Sequence, residues 1–303
     1  TVIALFVYNR PIHTKKTLSS ILNCKEASTH DLIVFSDGPK NDFNKKLVES
    51  VRSLLSSIKG FNSVKIITSP VNKGLASSII SGVTKVLEDY DSVIVLEDDM
   101  IVSPHFLTYM NDSLERYQND DRVISIHGYV YPVDQELPET FFLKGADCWG
   151  WATWRRGWNL FNPDGQYLFD KIKRNNLSKQ FNFNNSFDYM KMLCDQINGL
   201  NDSWAIRWYA SAFTANKLTL YPGKSFVQNI GFDSSGTHCR STSRFDVLLN
   251  NSYSGLETVN VVESSQAVKS FERYFLSSKT ISSRWLPCFV TKALKKVRVL
   301  IKL

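Results

Sequence analysis

Residues 92–99 read SVIVLEDD, an apolar run that ends abruptly in three consecutive carboxylates. A short apolar run of this kind is typical of a strand buried in a parallel sheet. Helical patterns separate it from similar runs at residues 2–8, 31–36, 64–68 and 122–126. Strands that alternate with helices predict an α/β fold, in which helices flank a twisted, mostly parallel, doubly wound sheet.

Polar groups follow four of these predicted strands, at residues 9–10, 37–38, 72–74 and 97–99. Ligands of open α/β sheets bind beyond the carboxyl ends of the strands, so we expect these groups to line one crevice. Three adjacent carboxylates need a cation or hydrogen-bond donors to neutralise them. Their hard oxygen atoms suit Mn²⁺ or Mg²⁺, which bind a carboxylate together with substrate phosphates. The alternative interpretation is a solvated acidic turn with no ligand.

The net charge of +7 over 303 residues is concentrated at the C-terminal end. Eight basic residues and no acidic residue follow Glu272, so the rest of the chain is close to neutral. A nucleic-acid-binding body is therefore disfavoured, because it would need a basic face of its own. Residues 284–303 have the pattern of a basic amphipathic helix, which predicts contact with an anionic membrane surface. The alternative is a helix that packs on the body and exposes its lysines to water.

The cysteines and the hydropathy of the chain predict where in the cell the protein is located. The five cysteines are odd in number and far apart, which favours a reducing compartment over a disulfide framework. The first residues do not resemble a signal peptide, and no apolar run is long enough to span a membrane. We therefore expect a cytoplasmic protein, peripheral on the inner face of a bacterial cell membrane.

Four motifs in order carry a family resemblance: FVYNRP at residues 6–11, FSDG at 35–38, IVLEDDMIVSPHFLTYM at 94–110 and CWGWATW at 148–154. With them, residues 1–240 resemble glycosyltransferases of the GT-A (Rossmann-like) fold. The resemblance is narrowest to the N-acetylglucosaminyltransferase I type and to bacterial family 2-like sugar transferases of surface-polysaccharide assembly.

The resemblance implies a metal-dependent, inverting transfer from a nucleotide sugar, UDP-linked, such as UDP-GlcNAc or another UDP-hexose. The acceptor would be a hydroxyl of a glycan or of a lipid-linked oligosaccharide in O-antigen or capsule biosynthesis. It also implies a nucleotide-sugar and metal-binding half at residues 1–125. An acceptor-side and catalytic-base half at 126–272 would share the same core, and 273–303 would form the basic amphipathic segment.

The resemblance assigns the metal and the sugar to the EDD triplet. Asp99 would bind Mn²⁺ or Mg²⁺, while Asp98 and Glu97 would face the ribose and the transferred sugar. Asp37 would accept a hydrogen bond from the nucleotide base, although an Asp-Gly turn explains it equally well. Arg10 would lie over the base or the diphosphate, and its alternative is a surface ion pair.

Two further donor contacts are predicted. Lys73, in the sequence NKG, is a candidate for the phosphates, but it also suits a plain loop before a helix. His238 lies in a polar loop that resembles the donor-closing loop of the family, and a solvent-exposed histidine is the alternative.

An inverting transfer needs one general base at the acceptor hydroxyl, because a metal takes up the leaving-group charge. In the family the base is an Asp just before a Trp, which corresponds here to Asp202. Its alternative is the N-cap of the following helix, and Asp195 is the second choice. Of the clustered tryptophans, Trp149 and Trp151 are predicted to reach the acceptor. Trp151, Trp154 and Trp158 have helical spacing, and the last two are expected to be core.

Two other function classes stay open. A sugar nucleotidyltransferase would use metal-bound carboxylates on a similar sheet, but would normally show a Gly-rich phosphate loop near the first strand. A non-catalytic sugar-binding module on the same fold would not depend on Asp202. No GxGxxG, P-loop or GxSxG motif occurs in the sequence.

Overall fold

The structure is a computed structural model that describes residues 1–235 and 241–277. Strands and helices alternate through the first half: β1 (Val2–Val7), α1 (Pro11–Leu22), β2 (Asp31–Ser36), α2 (Asp42–Leu55), β3 (Ser63–Thr68), α3 (Leu75–Asp89), β4 (Ser92–Glu97), β5 (Met100–Val102), α4 (Phe106–Tyr117) and β6 (Val123–His127). A 3-10 turn at Lys25–Thr29 precedes β2. The predicted alternation is thus confirmed.

The second half contains shorter elements: β7 (Thr140–Lys144), β8 (Trp151–Trp154), α5 (Arg155–Trp158), α6 (Gly165–Arg174), α7 (Ser178–Phe181), α8 (Tyr189–Ile197), α9 (Trp204–Thr214), β9 (Leu218–Pro222), β10 (Val227–Asn229) and α10 (Ser265–Ser277). Of the predicted segment 273–303, residues 273–277 are the end of α10. The predicted amphipathic helix at 284–303 lies outside the described residues.

An eight-stranded sheet in the order β3-β2-β1-β4-β8-β6-β9-β7 organises the fold. The first four strands of that order are mutually parallel. β8 is antiparallel to both of its neighbours, β9 is parallel to β6, and β7 is an antiparallel edge strand. The sheet is therefore mostly parallel, as predicted, and residues on both sides of position 125 contribute strands to it.

Two apolar clusters cover the two faces of the sheet. Alternate residues of β1 serve opposite clusters: Leu5 packs towards α1, α2 and α4, while Phe6 packs towards α3. Every side chain of β1 is buried, as expected of a central parallel strand. Because the central strands are covered on both faces, we expect ligands to approach them at their carboxyl ends.

A second, two-stranded sheet lies next to the carboxylates that follow β4. β5 pairs antiparallel with β10, which sets Met100 opposite Asn229. The Ile230 N–H donates to the main-chain oxygen of Asp99 at 2.9 Å, which continues this pairing. A segment 130 residues further along the chain therefore lies against the carboxylates that follow β4.

One of the structural expectations needs correction. The stretch around Trp151 and Trp154 is a strand rather than a helix face, and these two rings pack in opposite clusters. Trp154 and Trp158 are nevertheless buried as predicted. Cys24 and Cys148 are free cysteines. In the described part of the chain, no helix is both long and apolar enough to cross a bilayer.

Candidate active site

Glu97, Asp98 and Asp99 lie at the carboxyl end of β4, where that strand turns into β5. Asp98 and Asp99 are buried, at 4% and 9% exposure, and Glu97 is half-buried. The parallel pairing of β1 with β4 sets Phe6 opposite Glu97, so the segment that follows β1 runs beside the carboxylates. The Tyr8 N–H donates to Asp98 Oδ2 at 3.3 Å. We call the three acidic residues the carboxylate edge.

Arg10 is the cation of this edge. Its Nη2 donates to Asp98 Oδ1 and, at 2.8 Å, to Asp99 Oδ2. The Arg10 side chain is 18% exposed, and Pro11 begins α1 directly after it. The pair is thus largely buried rather than the surface pair considered above, and removal of one partner would leave an uncompensated buried charge.

The second oxygen of Asp99 has no partner among the residues that the structure describes. Asp99 Oδ1 is buried and accepts no hydrogen bond from them. Gly231 makes room beside this carboxyl group, since a Cβ atom there would lie 2.1 Å from Asp99 Oδ2. A buried, unpartnered carboxylate oxygen is costly, and a hard cation would satisfy it.

The carboxylate oxygens of the edge suit a divalent metal whose other ligands come mainly from a bound substrate. Within residues 1–235 and 241–277, no group of three acidic, His or Cys side chains is placed to hold a metal. Mg²⁺ and Mn²⁺ sites with one protein carboxylate are completed by substrate phosphates and water. Asp99 Oδ1 is therefore a suitable single ligand, as the resemblance implies.

The crowding of charge alters the protonation of the edge. Burial, followed by the charges of Asp99 and Asp98, raises the pKa of Glu97 to about 8. Burial also raises the pKa of Asp98 to about 6, against the opposing charge of Arg10. Burial would lower the pKa of Arg10, but the two aspartates more than offset it and the pKa is raised. One arginine therefore does not neutralise three carboxylates, and a further cation would stabilise the ionised edge.

The Asp37 carboxylate accepts hydrogen bonds within a loop and does not face an open site. Its carboxylate accepts from the main-chain N–H groups of Gly38, Lys73 and Gly74 at 2.8, 2.9 and 3.0 Å. Asn72 Nδ2 donates to it at 3.0 Å. A carboxylate has about four acceptor positions, and these four donors fill them. The prediction that Asp37 accepts a hydrogen bond from a nucleotide base is therefore not supported; Asp37 instead shapes the loop that exposes Lys73.

Asp202 stands at the start of α9 with its carboxylate exposed. The N-cap of that helix is Ser203, whose hydroxyl accepts from the Ile206 N–H at 3.2 Å. The capping alternative thus does not apply to Asp202 itself. Its side chain is 75% exposed and pairs with Arg207 Nη2 at 3.1 Å. The second choice, Asp195, pairs with Lys191 on α8.

The two predicted acceptor tryptophans have different surroundings. Trp151 is fully buried against Trp158, Trp204 and Trp208, at centroid distances of 5.5–5.8 Å. A ring so enclosed has no face open to a sugar, so the prediction for Trp151 is not supported and core packing explains it. Trp149 is half-buried.

Trp149 lies in an aromatic group that includes Phe232, the residue that follows Gly231. Its ring contacts Tyr129, Phe232 and Phe245 at centroid distances of 4.8–5.5 Å, and its main-chain N–H donates to His127 Nε2 at 3.1 Å. Burial lowers the pKa of His127, so this ring is a neutral acceptor that fixes the Trp149 backbone. Trp149 keeps its place as the acceptor-side candidate.

Several residues around the edge were not singled out from the sequence. Gly231 borders Asp99, as described above. His13 Nε2 lies 3.0 Å from Asp233 Oδ2, which joins α1 to the start of the loop that carries His238. His238 itself lies outside the described residues. The sequence signal for this contact was only the polar, Gly-bearing character of that loop.

The family of the chain follows from sequence comparison. Residues 2–193 match the profile of glycosyl transferase family 2. This match covers more than half of the chain, and the chain therefore belongs to glycosyl transferase family 2. The predicted GT-A glycosyltransferase is confirmed at this level. No curated protein is significantly similar.

Solved structures show more distant likeness. One is TarS residues 1–349 from S. aureus in complex with UDP-GlcNAc, at 10% identity and a TM-score of 0.41, covering 75% of this chain and 58% of that one. Another is mannosyltransferase PcManGT from Pyrobaculum calidifontis in complex with GDP-Man and Mn²⁺, at 13% identity and a TM-score of 0.31, covering 43% and 35%. The chain spans less than two thirds of the length of either.

Proposed function

We propose that this chain transfers a sugar from a nucleoside-diphosphate sugar, with the help of Mn²⁺ or Mg²⁺, to an acceptor hydroxyl. The observation that carries the proposal is the buried, unpartnered Oδ1 of Asp99 at the carboxyl end of β4. Family membership supports the reaction class. Open α/β sheets bind nucleotides at this edge, which supports the position.

Each candidate residue has a task in this proposal. Asp99 Oδ1 would hold the metal, and a bound metal would neutralise the charge that develops on the diphosphate leaving group. Asp202 would accept the proton of the acceptor hydroxyl as it attacks the anomeric carbon, which gives inversion. Its exposure leaves the carboxylate accessible to an acceptor. Trp149 would contact the acceptor sugar, and Lys73 the phosphates.

The identity of donor and acceptor is part of the proposal. UDP is the proposed nucleotide because of the resemblance to UDP-dependent enzymes, while Asp37 no longer supports the choice of uracil. A glycan or lipid-linked oligosaccharide of a surface polysaccharide is the proposed acceptor. Contact of residues 284–303 with an anionic membrane would bring the enzyme to a lipid-linked acceptor.

Calorimetric titration tests the donor site. UDP, GDP, dTDP and CMP are titrated into the protein with and without Mn²⁺, using wild type, Asp99→Ala and Asp121→Ala. Asp121 is an exposed carboxylate just before β6 and serves as the matched control. We expect Mn²⁺-dependent binding of UDP that is lost in Asp99→Ala and retained in Asp121→Ala.

Other outcomes separate the alternatives. Binding of GDP or dTDP in place of UDP would keep the transferase and change the donor. Absence of all nucleotide binding would overturn the proposal and favour a sugar-binding module. Release of pyrophosphate from a nucleoside triphosphate and a sugar phosphate would instead identify a nucleotidyltransferase.

A further inference from the structure

The carboxylate edge already holds one cation of the chain itself. Arg10 Nη2 contacts Asp98 and Asp99 together, and on Asp99 it uses Oδ2. The oxygen that remains, Oδ1, is the one proposed above to bind a metal. Both oxygens belong to a single carboxyl group, so a metal on Oδ1 and the guanidinium on Oδ2 would be close neighbours of like charge.

Like charges at a partly buried site repel strongly, because little water screens them. Arg10 therefore lowers the affinity of the edge for a divalent metal as long as it stays on the two aspartates. A diphosphate offers the guanidinium a second anion, since arginine pairs with phosphate through two parallel hydrogen bonds. The Arg10 side chain is 18% exposed and precedes α1, so it has access to a ligand at the edge.

We propose that Arg10 is an internal counter-ion that makes metal binding conditional on the nucleotide. In the free chain, Arg10 pairs with Asp98 and Asp99 and keeps divalent metal affinity low. When a nucleoside diphosphate binds, Arg10 moves its contacts from the carboxylates to the phosphates, which leaves the Asp99 carboxylate to hold a divalent metal. Metal and nucleotide therefore bind cooperatively. This inference rests on the proposed nucleotide site, but its first test does not require a nucleotide.

The first test measures Mn²⁺ alone. The signal of free Mn²⁺ in electron paramagnetic resonance gives its affinity for wild type, Arg10→Gln and a matched control. The control is Arg122→Gln, which also removes an arginine from an aspartate pair, but at an exposed position before β6. We expect Arg10→Gln to bind Mn²⁺ about tenfold or more tightly than wild type, because the competing charge is gone. Arg122→Gln should match wild type.

The second test adds UDP at a saturating concentration. In wild type, UDP should strengthen Mn²⁺ binding, and Mn²⁺ should strengthen UDP binding by the same factor, as linkage requires. In Arg10→Gln, UDP should strengthen Mn²⁺ binding by a smaller factor, because no arginine has to leave Asp99 before the metal binds. If Arg10→Gln does not fold, as judged by circular dichroism, Arg10→Met takes its place. A methionine also lacks the positive charge, so the same increase in affinity for Mn²⁺ alone is expected.

The outcomes distinguish this inference from the proposed function. If the folded variant binds Mn²⁺ no more tightly than wild type but still binds UDP, the counter-ion role is wrong and the transferase stands. If wild type binds no nucleotide under any condition, the proposed function fails. Tighter binding of Mn²⁺ alone by the variant would then still support the competition between Arg10 and the metal.

Discussion

A methyl group at Gly231 would test the geometry of the carboxylate edge. A Cβ atom there would lie 2.1 Å from Asp99 Oδ2 and 3.1 Å from Asn229 Oδ1. Gly231 is not among the positive-φ glycines, so alanine suits its backbone and the contact alone decides the effect. The same Oδ2 accepts from Arg10 at 2.8 Å, and the carboxylate cannot retreat without disturbing that bond.

The expected cost follows from this contact. To reach ordinary van der Waals distance, Asp99 Oδ2 must move by about 1 Å or more, since Cβ contacts below 3.0 Å essentially do not occur. Overpacking of this kind costs about 1–3 kcal/mol. A weakened charged hydrogen bond adds to it, at about 1.5–3 kcal/mol when lost entirely. We therefore expect Gly231→Ala to lower the free energy of unfolding by about 2–3 kcal/mol.

Urea denaturation of four proteins checks this reasoning: wild type, Gly231→Ala, Asp99→Ala and the double variant. With Asp99 truncated the clash disappears, so the cost of Gly231→Ala should fall below about 1 kcal/mol in that background. An equal cost in both backgrounds would refute the assigned contact. The single variant Gly231→Ala should also weaken Mn²⁺-dependent UDP binding, measured by calorimetry.

Three further predictions concern other residues of the site. Asp37→Ala leaves three main-chain N–H groups without their acceptor and should lower the free energy of unfolding by about 2–4 kcal/mol in urea titrations; a loss near zero would contradict the loop role. The pKa of Glu97 is about 8 in the fold against an ordinary 4.5, so the folded chain holds its proton longer and metal-free stability should fall as pH rises between these values. Glu97→Gln should show a flatter profile, measured at pH 5 and pH 8, and an unchanged slope would argue against it. Asp202→Asn should reduce kcat about 10²-fold or more while UDP affinity stays the same, and a change below threefold would exclude a base role.

The central strands could be predicted because each is buried on both faces. The runs at β1, β2 and β4 are continuous and apolar, and turn residues mark where they end. β8 was interpreted differently, because Trp151, Trp154 and Trp158 have helical spacing. This strand is buried on both sides, so its large hydrophobic side chains need not alternate. The spacing of its hydrophobic residues therefore does not distinguish a strand from a helix.

The site was predictable to the extent that strand ends determine it. The prediction that polar strand ends gather at one edge accounts for the contact between Arg10 and Asp98 across 88 residues. It could not give the partners of Asp37, since the donors from 72–74 depend on the path of a loop. Gly231 comes to Asp99 through the pairing of β10 with β5, two three-residue strands too short to leave a pattern.

The carboxylate edge is electrostatically costly to the fold, and the proposed metal and nucleotide site would account for that cost. Asp98 and Asp99 are buried, with one arginine between them, and one oxygen of Asp99 has no partner in the described part of the chain. A hydrophobic or fully paired substitute would stabilise the fold, but it would leave nothing for a cation to satisfy. Central strands such as β1 and β6, whose side chains are all buried, supply compensating stability. In the proposed site, a metal and a diphosphate would satisfy the unpartnered oxygen of Asp99, so that binding would recover free energy that the burial of this carboxylate costs the fold.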